Sequence, residues 1–134
     1  MNVKEYKVGK RRPLVMVDEL LKTAERDDDV LAVILYGSLA RGERARDVDI
    51  CLVLLPDKAS VGFEKRIEYS SYKKLDVQVF QELPLYIRKR ILEEGKVLVC
   101  KEEDLLYDIA SETVREFEYF RPRYEEYLEG VLNG

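Results

Sequence analysis

Gly37, Ser38, Asp47 and Asp49 are the residues of this chain best placed to handle a phosphate and a metal ion. Gly37 and Ser38 follow the apolar run Val30–Tyr36, and Asp47 and Asp49 stand at the head of the next one, Ile50 to Leu55. A glycine lets backbone come close to a ligand. A serine at the start of a helix adds a hydroxyl and a backbone N–H where anions are favoured. Residues i and i+2 of a strand share a face, so Asp47 and Asp49 should point the same way. Two like charges held together cost energy unless a cation sits between them. A Mg²⁺–triphosphate site needs that arrangement.

A third acid is expected on a neighbouring strand. Asp76 is the candidate, because it opens the otherwise apolar run Leu75 to Phe80, where an unpaired carboxylate would be costly. With three carboxylates and two ions about 3.5–4 Å apart, the attacking and leaving oxygens of an in-line displacement can both be stabilised. Asp76 would take the proton of the incoming hydroxyl or hold the ion that acidifies it.

Other chemistries drop out. The chain has no histidine, which removes imidazole bases, Ser-His triads and the common zinc sites. Gly37 and Gly42 stand five apart, as in a P-loop, but Glu43 and Arg44 occupy the places where a P-loop needs Lys and then Ser or Thr. Cys51 and Cys100 lie in apolar runs and read as buried thiols rather than a disulfide or metal pair. A net charge of −4 argues against broad nucleic-acid binding. No apolar run approaches the ~20 residues of a membrane span. Met1 to Glu5 lacks a secretory core, so a cytoplasmic address is expected.

The elements that must position these residues can be read from periodicity and turn chemistry. The 134 residues read as one domain, with about 102–134 a helical C-terminal extension. Val3 to Val8 reads as an arm or edge strand, and Pro13 to Arg26 as an amphipathic helix. Asp27-Asp28-Asp29 reads as a solvated turn. Val30–Tyr36, Val48–Leu55 and Leu75–Phe80 read as strands, with Lys96–Cys100 a fourth, at an edge. In the third, Asp76, Gln78 and Phe80 fall on one face and Leu75, Val77 and Val79 on the other. Leu39 to about Glu43 reads as a short helix closed by Gly42, Ser60 to Lys73 as a helix weakened by Gly62, and Leu83 to Glu94 as a helix capped by Gly95. The expected class is α/β or α+β, a small mixed sheet with helices packed on it.

Several charged and aromatic residues have two readings. Arg41 and Arg46 could neutralise phosphate or pair with Glu43 and Asp47. Arg88-Lys89-Arg90, with Lys73 and Lys74, could form a basic patch, but successive helical residues diverge, which favours a solvated face. Phe117, Phe120, Tyr124, Tyr127 and Val131 make a helical seam that usually faces a core. Pro122 interrupts it, so a kinked helix that docks a partner or a second copy is the alternative.

At Gly37-Ser38, Asp47-Val48-Asp49 and Asp76 the chain resembles the DNA polymerase β-like nucleotidyltransferase superfamily, in particular its minimal, stand-alone (MNT) members. Ala40-Arg41-Gly42 is also typical of those. The likeness is strongest over Val30 to Phe80. It departs at the linker, where Leu39 to Arg46 is eight residues, shorter than usual, and Arg46 stands where a serine is often found. The resemblance implies the polymerase β-like fold and transfer of a nucleoside monophosphate, AMP from ATP, to a hydroxyl with two Mg²⁺ ions. It implies Asp47, Asp49 and Asp76 as catalytic and metal-holding residues, and Gly37, Ser38 and Arg41 as nucleotide-binding ones. It also implies an antitoxin-like partnership with a helical HEPN ribonuclease, which such proteins can adenylylate on tyrosine. The alternatives are a binding module that neutralises a partner sterically, and transfer to a small molecule or RNA.

Overall fold

The computed structural model describes residues 11–43 and 47–133. The arm expected at Val3 to Val8 and Arg46 in the linker lie outside the described residues. In chain order the elements are α1 (Arg11–Arg26), β1 (Val30–Tyr36), α2 (Gly37–Ala40), β2 (Val48–Leu54), α3 (Gly62–Tyr69), β3 (Leu75–Val79), α4 (Leu85–Glu94), β4 (Lys96–Cys100) and α5 (Glu103–Asn133). Short 3₁₀ segments cover Pro56–Val61 and Phe80–Glu82.

β1 and β2 are almost wholly apolar because both faces of the sheet centre are covered. The strand order is β3-β2-β1-β4. β1 is antiparallel to β2 and β4, whereas β2 and β3 are parallel, so the sheet is mixed, as expected. On one face Val33, Leu35, Ile50, Leu52, Val77 and Val79 pack with Val17, Leu20 and Ala24 of α1 and Tyr69 of α3. On the other, Ala32, Ile34, Cys51 and Val53 pack with Ile91 of α4, and Leu106 and Ile109 of α5 lie against that cluster. Cys51 is buried and Cys100 half-buried, and both thiols are free.

The alternation of β3 explains where a site can form. Leu75, Val77 and Val79 are buried against the first face, while Asp76 is exposed and Gln78 half-buried on the second. β3 is an edge strand. Its polar face is therefore open at the sheet corner where β1 ends and β2 begins.

Several expectations need correcting. The short helix starts at Gly37 rather than Leu39 and ends at Ala40, before a turn in which Gly42 takes φ +81°. The helix expected over Ser60 to Lys73 is only Gly62–Tyr69, because Pro56 opens a 3₁₀ segment and the chain turns at Ser70, reaching Lys74 at φ +72°. Gly62 begins that helix instead of weakening its middle. α4 starts at Leu85, since Pro84 keeps the residue before it extended. Gly95 stands at its C-terminus in extended backbone, and it is glycine for space: a Cβ there would lie 2.4 Å from the Ile91 carbonyl oxygen and 2.5 Å from Ile34 Cγ2.

Two surface expectations also fall. Asp27 is not part of a solvated turn but sits in a half-buried ion-pair cluster with Lys65. α5 runs through Pro122 without a break, and the seam beyond half-buried Phe117 faces solvent rather than a core, with Phe120, Tyr124, Tyr127 and Val131 exposed. Among the described residues no helix is long and apolar enough to cross a membrane.

Candidate active site

Strand register builds the site. Tyr36 of β1 lies opposite Asp49 of β2, and Asp49 lies opposite Asp76 of β3. Directly opposed residues present their side chains on one face. A phenol and two carboxylates thus form a row across three strands. Asp47, exposed just before β2, adds a third carboxylate.

The acids feel one another's charge. Burial pushes the Asp49 carboxyl up to about 6, and the charges of Asp76 and then Asp47 push the same way, with Arg41 opposing. Tyr36 is raised above the usual phenol range, first by burial and then by Cys51, Asp49 and Asp76, so it stays a neutral donor. Among the described residues no three carboxylate or thiol groups close into a metal cage. The acids meet as an open row. An all-oxygen donor set, part-desolvated and mutually repelling, fits a hard divalent cation such as Mg²⁺.

Gly37 makes this row possible. It has φ +76°, and a Cβ there would stand 2.2 Å from Asp49 Oδ2. Only glycine allows the chain to turn into α2 so close to that carboxylate. Leu39 and Ala40 anchor α2 in the core. The Arg41 N–H donates to the Gly37 carbonyl at 3.2 Å and the Glu43 N–H to the Ser38 carbonyl at 3.0 Å, tightening the turn. Ser38 is left half-buried beside the row.

Arg41 takes the surface-pairing option within the chain. Its Nε donates to Glu43 Oε2 at 3.0 Å, Nη1 to Glu94 Oε2 at 3.3 Å and Nη2 to Ser38 Oγ at 3.5 Å. The basic run on α4 has local partners too: Arg88 donates to the Leu83 carbonyl, Lys89 pairs with Glu93, and Arg90 pairs with Glu94.

The structure brings Gly37, Ser38, Asp47, Asp49 and Asp76 to one corner of the sheet, with Arg41 at its rim. Sequence reasoning assigned nothing to Tyr36, Gln78 or Glu94. Gln78 Nε2 donates to Asp76 Oδ1 at 2.9 Å. The two-residue spacing from Asp76 was a signal for Gln78. The cross-strand partner of Tyr36 and the 53-residue reach from Arg41 to Glu94 had none.

The family described as Polymerase beta, Nucleotidyltransferase matches residues 18–104, a span that holds every one of these site residues. A Methanocaldococcus jannaschii protein described as "Putative protein adenylyltransferase" is 35% identical over 78 residues, covering 57% of this chain and 61% of that relative. The chain thus spans less than two thirds of that relative's length. Among solved structures, a variant of the toxin–antitoxin complex MntA-HpeT contains a chain with TM-score 0.66 and 16% identity, covering 87% of this chain and 97% of that one. A Shewanella oneidensis complex of a tri-AMPylated HEPN toxin with MNT antitoxin gives TM-score 0.64 at 15% identity, covering 88% and 97%. A toxin–antitoxin with AMP-PNP gives 0.64 at 16%, covering 92% and 99%. At such identities these likenesses establish the fold alone.

Proposed function

The chain belongs to the polymerase β nucleotidyltransferase family, and on that premise we propose that it transfers AMP from ATP to a hydroxyl of a helical, HEPN-type partner protein, acting as an antitoxin. The observation carrying this reading is the row of Asp49 and Asp76 beside Gly37, with Asp47 adding charge at its end. The Methanocaldococcus protein adenylyltransferase relative and the Shewanella complex of an AMPylated HEPN toxin with MNT antitoxin support the acceptor class and the antitoxin role. The AMP-PNP complex supports an ATP-like donor.

Gly37 and Ser38 would receive the terminal phosphates, with Arg41 leaving Glu43 or Glu94 to share their charge. Asp47, Asp49 and Asp76 would hold divalent ions. Mg²⁺, when bound there, would offset phosphate charge and acidify the acceptor hydroxyl. Asp76, on the open edge strand, faces the acceptor side and takes the hydroxyl proton. A new O–P bond forms at the α-phosphorus, the α–β anhydride bond breaks, and pyrophosphate leaves. Tyr36, held neutral, stands opposite Asp49 at the end of the row.

Co-expression with the partner tests this reading. Mass spectrometry should find the partner heavier by one or more AMP units, and Asp49→Asn should reduce labelling about 10²–10³-fold while the fold persists. A tight but unmodified complex with the wild-type chain would instead establish a steric binder.

A further inference from the structure

Asp76 is exposed on an edge strand, with Asp49 its neighbour across the row. A like-charged neighbour does not hold an exposed carboxylate in one rotamer. Gln78 supplies a donor. It lies two residues on, on the same face, and its Nε2 donates to Asp76 Oδ1 at 2.9 Å. Its own strand position is opposite Cys51, whose side chain is fully buried, so Gln78 stands over the closed part of the sheet and Asp76 over the open corner. The bond uses one acceptor direction of the carboxylate, which has others to spare.

We propose that Gln78 is a positioning residue for transfer, holding the Asp76 carboxylate in the orientation that serves the acceptor hydroxyl. This rests on the reading of Asp76 given above. An amide suits the task because it donates without adding a charge that would compete with a cation. A partner that orients a reacting or ligating carboxylate is typically worth 10–100-fold in activity. The nucleotide is received on the other side of the row, at Gly37 and Ser38, so loss of Gln78 should act on turnover and not on ATP capture.

Two variants isolate the donor. Gln78→Met keeps length and removes both N–H groups, and Gln78→Glu keeps shape while reversing the donor to an acceptor. With ATP, Mg²⁺ and a purified tyrosine-bearing HEPN-type protein, both should lower kcat about tenfold or more, with the KM for ATP changed less than about twofold. In a readout free of activity, the Gln78 side-chain amide proton bonded to Asp76 should lie downfield of its position in Asp76→Ala, widening the separation of the amide pair. An active wild type with Gln78→Met unchanged in kcat overturns the inference alone, as does a raised KM at unchanged kcat or an amide pair indifferent to Asp76→Ala. A wild type that transfers nothing overturns the functional reading, and this inference with it.

Discussion

The two ends of β1 each carry a group of carboxylates, roughly 20 Å apart along the strand, and they are built in opposite ways. At the start, Asp27 accepts from Lys65 Nζ at 2.8 and 2.9 Å and from the Tyr69 hydroxyl at 2.8 Å, and Lys65 also lies 3.1 Å from Asp29. Burial would raise the Asp27 carboxyl, but Lys65, the Asp29 N–H and Tyr69 together hold it below the usual range. At the other end, burial and like charges push Asp49 up to about 6, with only Arg41 opposing. One group satisfies its own charge with a lysine and a tyrosine. The other is left needing positive charge from outside. Acidic residues alone therefore do not mark a site; an uncompensated group of them on an open face does.

The sharpest way to break this contrast is to remove the cation from the satisfied end. The side chains of Lys65 and Asp27 are 12% and 11% exposed, so Lys65→Met would leave Asp27 charged and mostly buried with only the Tyr69 hydroxyl and the Asp29 N–H, and Asp29 with only Lys58 at 3.8 Å. Losing one member of a buried pair costs about 3 kcal/mol, roughly 10 °C in Tm for a chain of this size. Nucleotide transfer per folded molecule should not change. A loss under about 1 kcal/mol would mean that the Asp27 group is also open to solvent, and the contrast would fail.

Neutralising the other end should have the opposite sign. The Asp49 carboxyl binds its proton more tightly folded than unfolded, so its ionisation works against the fold. Stability present at acidic pH is lost as pH rises from the ordinary value of 3.8 through about 6. Asp49→Asn should therefore stabilise the metal-free chain at pH 8 by about 1–2 kcal/mol, once solvent screening is allowed for, and by little near pH 4. Chemical denaturation at the two pH values checks it. An equal gain at both would assign the effect to packing and not to charge. Asp27 runs the other way, its contribution present above the ordinary carboxylate range and lost on acidification.

Local signals in the sequence carried the reading as far as local physics reaches. β1 and β4 have the bounds expected, because apolar blocks closed by turn residues define buried strands. Asp76 and Gln78 fell on one face by period two alone. Register did not follow, since nothing local says that Tyr36 faces Asp49 and Asp49 faces Asp76. Nor did the Lys65–Asp27 pair, whose partners are 38 residues apart in the chain. Asp27 looked solvated because three successive acids usually are. The seam of α5 has a helical period whether or not anything covers it, so periodicity could not tell a core face from an exposed one.

That last face extends the contrast from charge to apolar surface. Beyond Phe117 the helix exposes Tyr119, Phe120, Tyr124, Tyr127, Leu128, Val131 and Leu132. Its ties to the body are few: Tyr124 stacks on Tyr86 of α4 with centroids 6.1 Å apart, while Arg121 pairs with Glu118 and Glu125 of its own helix. If unmet groups in this chain are the ones kept for outside partners, deleting residues 121–134 should cost only about 1 kcal/mol, the worth of one aromatic contact. The Asp49 and Asp76 row should remain, and ATP should protect the shortened chain from thermal unfolding as it does the full one. Capture of a HEPN-type protein should weaken at least tenfold. A truncated chain that fails to fold would place the segment in the core after all, and the apolar half of the contrast would then be lost while the charged half stood.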